Sequence, residues 1–120
     1  MSSKRRKWLF RIREMLEAVR AIQDYTDGLR YEQFRQDRFV QDAVAMNLIV
    51  IGEAAKHIPA HAKQQHKSIP WNKLAKLRNF IAHEYNRLDL SIVWQVILNE
   101  LPQVAPQLQD MIDQHVSEES

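Results

Sequence analysis

The sequence contains no cysteine, only two glycines and only four prolines among its 120 residues. The lack of cysteine excludes disulfide bonds and thiolate metal ligands, and it fits a reducing compartment, so we expect a cytoplasmic protein. The scarcity of glycine and proline favours long helices over a sheet with many turns. No apolar run approaches the roughly 18 residues of a membrane-spanning helix, and the early charges are not followed by the apolar core of a signal peptide.

A strong excess of one charge is also missing. Seventeen basic and fifteen acidic residues give a net charge of +2, which permits an RNA partner without requiring one. The densest positive patch is Lys4 to Lys7 with Arg11 and Arg13. A solvated start of the first helix explains this patch more simply than a docking site does.

Apolar residues recur at helical spacing near the N-terminus. The stripe consists of Trp8, Ile12, Met15, Val19 and Ile22, with Thr26 next in phase. Steps of four and three residues predict one amphipathic helix. Gly28 follows Asp27 and predicts the end of this helix.

The second helical segment is predicted from about Tyr31 to Ile58, where Pro59 ends it. Its central stretch, AVAMNLIVIGEAAKHI, is apolar almost all round, whereas a surface helix of a small bundle has one polar face. A chain of 120 residues has little to cover two sides of this helix. We therefore expect a second copy of the chain to bury its outer side in a homodimer.

The rest of the chain predicts a polar connector and two further helical segments. Pro70 suits the start of the helix that follows the connector, and Asp89 is a candidate N-cap for the last segment. The last segment has one apolar stripe that crosses Pro102, which predicts one kinked helix or two nearly collinear ones. This stripe consists of Val93, Ile97, Leu101, Val104, Leu108 and Met111.

These segments together predict an all-α fold. The expected architecture is an up-and-down bundle of four long helices plus a short one. Residues 1–116 form its single domain in this prediction, and residues 117–120 form a disordered tail.

The stretch LRNFIAHEY, residues 77–85, places an arginine within an apolar helical face. On a helical wheel, the apolar residues around Arg78 fall within roughly 60° of it, so a guanidinium at this position needs partners. Three explanations stay open. Arg78 forms an ion pair with Glu53 of the second segment, or it lines a cleft that accepts an anion such as phosphate, or it extends past its neighbours to water.

Three polar neighbours of Arg78 also allow more than one interpretation. His83 either makes a favourable contact with the helix C-terminus or carries protons, because a histidine imidazole titrates near neutral pH. Tyr85 is either a core aromatic residue or an accessible hydroxyl that binds substrate or accepts a modification. Asn79 lies one turn before His83 and could orient its ring or bind substrate.

The pattern of Arg78, four residues, His83, one residue and Tyr85 resembles the R-x4-H-x-Y signature of the HEPN superfamily. More closely, the chain resembles the HepT toxins, also called the DUF86 family. Three stretches carry this resemblance: NLIVIGEAAKHI around Glu53, IPWNKLAKLRNFIAHEY, and LDLSIVWQVILNELPQVAPQL. Together they cover nearly the whole chain in the family's order.

The resemblance implies a homodimeric helical bundle that acts as a metal-independent ribonuclease, with no cofactor and with RNA as substrate. It implies that Arg78 and His83 are catalytic. It also implies the toxin of a toxin–antitoxin pair, whose nucleotidyltransferase antitoxin transfers AMP from ATP onto the motif tyrosine. Carried over to this chain, the acceptor is Tyr85.

Two other interpretations compete with this one. A bundle that keeps the fold but has lost nuclease activity would bind a nucleotide or a partner protein, with Arg78 serving only as an ion-pair partner. A zinc site formed by His57, His61 and His66 is disfavoured, because the spacing is loose and Pro59 interrupts it. The sequence therefore predicts no metal site.

Overall fold

The structure is a computed structural model that describes residues 7–119. Its seven α-helices are α1 (Leu9–Thr26), α2 (Tyr31–Gln36), α3 (Arg38–Lys56), α4 (Ala60–Gln65), α5 (Trp71–Glu84), α6 (Leu90–Gln95) and α7 (Leu101–Glu119). A 3-10 turn, Tyr85–Arg87, follows α5, and a π-helical segment, Val96–Glu100, joins α6 to α7. The described residues form no strand, so the predicted all-α bundle is confirmed.

Helix α1 has the predicted stripe and the predicted end. All six residues of the stripe are buried. Thr26, the polar member, satisfies its hydroxyl by donating to the Ile22 carbonyl at 2.8 Å. Gly28 adopts a φ of 75° just beyond the helix, a left-handed conformation that glycine accepts without a Cβ penalty.

The prediction of one continuous helix from Tyr31 to Ile58 is wrong at Asp37. The Asp37 side chain accepts a hydrogen bond from the Val40 amide at 3.1 Å and thereby caps a new helix, α3. The preceding six residues form the separate short helix α2. An aspartate at this position competes with the helical backbone for hydrogen bonds, which breaks the segment in two.

The later boundaries follow the predicted signals with one difference. Pro70 immediately precedes α5, and Asp89 caps α6 by accepting from the Ser91 amide at 2.9 Å. The polar connector contains the short helix α4. Helix α7 continues to Glu119, beyond the boundary predicted at residue 116, because no proline or glycine interrupts VSEE. Ser120 lies outside the described residues.

The last helical run is distorted before Pro102 rather than kinked at it. The Leu101 amide bonds to the Val96 carbonyl, five residues back, which is the π-helical pattern. All six members of the predicted stripe are buried. The two consecutive steps of four, from Val93 to Leu101, exceed the 3.6 residues of an α-helical turn, and the wider π turn absorbs the difference.

One hydrophobic core runs through the bundle. Helix α1 packs between α3 and α7, and α3 packs between α1 and α5. The inner side of α3 contributes buried residues such as Leu48 and Ile51, whereas Phe39 and Met46 on its outer side are 91% and 61% exposed. An exposed apolar side on the central helix is what the homodimer prediction requires, and that prediction stays open.

Two further observations concern surfaces. Within residues 7–119, no helix is both long and apolar enough to cross a membrane. Of the predicted basic patch, residues 4–6 lie outside the described part of the chain. Lys7 and Arg13 are exposed, and Arg11 pairs with Glu14 of its own helix at 3.1 Å.

Candidate active site

Helices α3 and α5 approach each other closely at Gly52. A Cβ atom added to Gly52 would lie 2.6 Å from the Arg78 Cβ and 2.7 Å from the Arg78 backbone nitrogen. No larger residue fits there without movement of one helix. The backbone of Arg78 is therefore held against α3, and this contact fixes where its side chain begins.

The guanidinium of Arg78 bridges two polar neighbours. Its Nε lies 3.3 Å from Glu53 Oε2, and its Nη1 donates to Asn79 Oδ1 at 3.1 Å. The side chain of Arg78 is 39% exposed and that of Glu53 is 48% exposed. The ion pair suggested by the sequence is thus present at the protein surface rather than buried.

This arrangement combines features of the three explanations for Arg78. Glu53 also lies 3.8 Å from His57 Nε2, so its carboxylate joins two basic side chains. A guanidinium has five N–H donors, and within the described residues only Glu53 and Asn79 engage them. The remaining donors of Arg78 can therefore bind an anion while the contact with Glu53 holds the side chain in place.

His83 lies on the exposed side of α5, one residue before the end of the helix. Among residues 7–119, none forms a hydrogen bond or an ion pair with its ring. Helix α5 extends to Glu84, whose φ of −116° and ψ of 12° depart from α-helical values, so the helix between Arg78 and His83 still separates the two side chains by about 140°. The departure at Glu84 comes after His83, too late to bring the two side chains together within one chain.

Asn79 serves Arg78 rather than His83 in this geometry. Its amide oxygen accepts the Arg78 Nη1 hydrogen bond, and the described part of the chain contains no hydrogen bond from Asn79 to His83. A role for Asn79 in orienting the imidazole therefore has no support from one chain alone. Its predicted contact with substrate stays open.

Tyr85 is half-buried and begins the 3-10 turn after α5. The guanidinium carbon of Arg38 lies 5.6 Å from the centroid of its ring, within the range of a cation–π contact. Arg38 begins α3, 47 residues before Tyr85 in the sequence. No sequence pattern linked the two residues, because only the packing of α3 against α5 brings them together.

A cavity of about 180 Å³ opens beside Tyr85. It lies where α2, α3, α5 and the start of α6 meet. Its lining residues are Phe34, Arg38, Gln41, Ala45, Ile81, Tyr85, Asn86, Leu88, Leu90 and Val93.

The histidines considered for zinc do not converge. His57 faces Glu53, whereas His66 Nε2 lies 3.3 Å from His115 Nε2. In the part of the chain that the structure describes, no group of three histidine, aspartate or glutamate residues could hold a metal ion.

Comparison with known proteins identifies the family of this chain. The sequence profile described as Ribonuclease HepT-like matches residues 15–111. The chain belongs to the HepT-like family. The matched region includes every candidate residue of the site: Glu53, Arg78, Asn79, His83 and Tyr85.

Individual relatives of this HepT-like chain are similar over most of their length. A protein named "Probable ribonuclease HepT" from Thermococcus cleftensis is 33% identical over 91 residues, which is 76% of this chain and 83% of the relative. A protein named "Putative RNase" from Methanocaldococcus jannaschii is 30% identical over 99 residues, 82% of each chain. No solved structure matches this HepT-like chain significantly.

Proposed function

We propose that this HepT-like chain is a metal-independent ribonuclease in which Arg78 and His83 act on the scissile phosphate. The observation that carries the proposal is the contrast between these two side chains. Arg78 is held by Glu53 with donors to spare, and His83 is exposed with no partner among the described residues. A fixed cation and an unengaged imidazole are the groups that phosphate chemistry near neutral pH requires.

The proposed reaction needs no metal because RNA carries its own nucleophile. The 2'-hydroxyl attacks the adjacent phosphorus, the bond to the 5'-oxygen breaks, and a 2',3'-cyclic phosphate and a 5'-hydroxyl result. One group must remove the proton of the 2'-hydroxyl, and another must protonate the leaving 5'-oxygen. His83 supplies proton transfer, and Arg78 stabilises the negative charge that develops on the phosphoryl oxygens.

Two proton transfers and one motif histidine favour a composite site made by two chains. The outer side of α3, with Phe39 and Met46, leads along the same helix to Glu53. A second copy packed on this side would cover apolar surface and bring a second His83 to one cleft. It would also remove the geometric problem that Arg78 and His83 diverge on a regular helix.

The proposal includes regulation through Tyr85. A nucleotidyltransferase antitoxin would transfer AMP from ATP to the Tyr85 hydroxyl, with pyrophosphate leaving. Tyr85 is half-buried, and within the described residues its hydroxyl makes no hydrogen bond. An adenylyl group there would place a bulky anion just beyond the end of the helix that carries Arg78, and it would compete with RNA for positive charge.

The test measures mass and cleavage together. The protein is purified after expression with and without its genomic neighbour, its intact mass is determined, and each form is incubated with RNA in EDTA. We expect added AMP on Tyr85 after co-expression, and cleavage in EDTA by the unmodified form alone. If neither form cuts RNA and the mass is unchanged, the proposal fails, and a bundle in which the Arg78–Glu53 pair is only structural takes its place.

A further inference from the structure

The cavity beside Tyr85 differs in chemistry from the surface around Arg78. Its accessible lining is more polar than apolar and includes Arg38, Gln41 and Asn86, while the buried side chains of Phe34, Ile81 and Val93 add a smaller apolar part. A flat ring system with hydrogen-bonding edges suits such a lining, and nucleobases have this character. At about 180 Å³, the cavity is smaller than the roughly 300 to 1,000 Å³ of pockets for drug-sized ligands, so a base would fit without its ribose and phosphate.

Gln41 gives the cavity a fixed hydrogen-bond acceptor. Its Nε2 donates to the carbonyl oxygens of Phe34 and Arg35, both at 2.9 Å. These two bonds fix the orientation of the side-chain amide at the junction of α2 and α3. The Oε1 atom accepts no hydrogen bond from the described residues, so it can accept one from the exocyclic amino group of a base.

Arg38 supplies the charge that a phosphate next to such a base needs. Its Nε donates to Asp42 at 2.9 Å, which holds the guanidinium beside the Tyr85 ring. Its two terminal nitrogens have no partner in the part of the chain that the structure describes. The side chain is 71% exposed, so both terminal nitrogens can form the bidentate contact that guanidinium groups make with phosphate.

We propose that this cavity is a subsite for one nucleoside monophosphate unit, with the base in the cavity and the phosphate on Arg38. The proposal rests on the proposed function, which brings such a unit from two sources. One source is the RNA strand, as a nucleotide beside the cleaved bond. The other is the adenylyl group on Tyr85, which would fill the same cavity and exclude the strand.

The first experiment measures binding of AMP to the unmodified chain by NMR, through the side-chain amide resonances of Gln41 and Asn86. Ribose 5-phosphate, which lacks the base, is the comparison ligand. We expect AMP to shift both resonances and to bind at least about tenfold more tightly than ribose 5-phosphate, because stacking of the base adds to the affinity. Equal affinities, or no shift with AMP, would show that the base does not bind in the cavity and would overturn the subsite.

The matched pair of variants is Arg38→Gln and Arg35→Gln. Both remove one exposed positive charge, but Arg35 pairs with Glu32 on α2 and does not line the cavity. We expect Arg38→Gln to weaken AMP binding about tenfold, the size of a lost charge-assisted contact, and Arg35→Gln to leave it unchanged. Equal effects of the two variants would reduce the role of Arg38 to general electrostatics and would overturn the subsite.

The two sources are separated by kinetics and by the modified protein. If the RNA strand uses the subsite, Arg38→Gln raises KM for an oligoribonucleotide with little change in kcat. If the adenylyl group uses it, the modified wild-type chain shows the Gln41 and Asn86 shifts without added AMP. Binding of AMP with no RNA cleavage would support the subsite and overturn the ribonuclease proposal. Cleavage of RNA without any of these effects would support the ribonuclease proposal and overturn the subsite.

Discussion

Two histidine-bearing regions of the molecule differ in almost every physical respect. The motif surface consists of Glu53, Arg78, His83 and Tyr85, all at least partly exposed. The histidine–tryptophan cluster consists of Trp8, His61, His66 and His115. His115 is 5% exposed, lies 3.3 Å from His66 between the two Nε2 atoms, and meets the Trp8 ring edge-on at 4.9 Å. His83 of the motif surface is exposed to solvent, whereas His115 of the cluster is packed in the core.

Residue type alone does not identify a functional histidine. His115 follows Leu108 and Met111 at helical spacing on α7, so it continues the apolar stripe into the core. His83 lies away from the stripe that buries Leu74 and Ile81 on α5. Position relative to the apolar stripe separates a histidine that fills space from one that can meet a substrate.

The largest effect is expected at the motif surface. His83→Ala should lower RNA cleavage by about 100-fold or more, the range of a lost general acid–base group. It should change the free energy of unfolding by less than about 0.5 kcal/mol, because the ring is exposed and makes no hydrogen bond with a described residue. Single-turnover cleavage and urea denaturation measure the two effects.

A variant His83→Ala that unfolds more easily than the wild type would show that the His83 ring contributes to stability. A variant that still cuts RNA at the normal rate would remove His83 from the proposed mechanism.

The second effect is expected in the histidine–tryptophan cluster, and it should be a loss of stability rather than a loss of cleavage. His115→Ala removes a buried ring from between Trp8 and His66, and we expect a loss of about 2 to 4 kcal/mol in the free energy of unfolding. Cleavage per folded molecule should stay normal. The control is His61→Ala, an exposed member of the same cluster, which should cost much less. Equal costs would show that burial does not set the difference.

The third effect tests whether the exposed motif surface depends on a tightly packed backbone beneath it. Gly52→Ala places a methyl group 2.6 Å from the Arg78 Cβ, so α3 and α5 must separate. We expect a net loss of about 1 to 2 kcal/mol, because the strain of overpacking outweighs the better helix propensity of alanine. Thermal denaturation measures this loss.

Cleavage by Gly52→Ala should also fall, since Arg78 moves with its helix. Normal cleavage in a destabilised variant would show that the position of Arg78 tolerates this shift.

The smallest effect concerns acid stability just beyond the motif surface. The Ser91 hydroxyl and the Ser91 backbone amide donate to Asp89 and hold the pKa of its carboxyl below the usual value. Because the folded-state pKa is lowered, the stabilisation is present above the unfolded pKa of about 4 and is lost as pH falls through the folded pKa. The stability difference between wild type and Asp89→Asn should therefore shrink below about pH 4 in urea denaturation. A difference that is constant from pH 7 to pH 3 would contradict this assignment.

Much of the fold could be predicted from local patterns. The stripes of α1 and of the last helical run, the end of α1 before Gly28 and the N-cap at Asp89 each depend on residues within one turn of one another. The Arg78–Glu53 pair could also be proposed, because two charges on apolar helical faces each need a partner.

The remaining features depend on competition or on packing that no local pattern reports. At Asp37, the side chain accepts a hydrogen bond from the Val40 amide. This bond interrupts the continuing helical pattern and divides the second segment into two helices. The contact between Arg38 and Tyr85 and the cavity beside them form only because α3 packs against α5. This packing places the first turn of α3 beside the 3-10 turn that follows α5. In our proposal, Arg78 and His83 come together only across two chains. A pattern within one sequence does not report such a contact.

The π-helical segment, Val96–Glu100, has a consequence for how the chain tolerates changes in length. Its wider turn accommodates one extra residue inside a helix. Most proteins accommodate changes in length in loops instead. Deletion of one residue there would let the run return to regular α-helix with its apolar stripe still in phase, because seven residues make almost two α-helical turns. Leu108, Met111 and His115 would then stay in the core. Related chains can therefore differ in length by one residue in this segment as well as in the connector around α4.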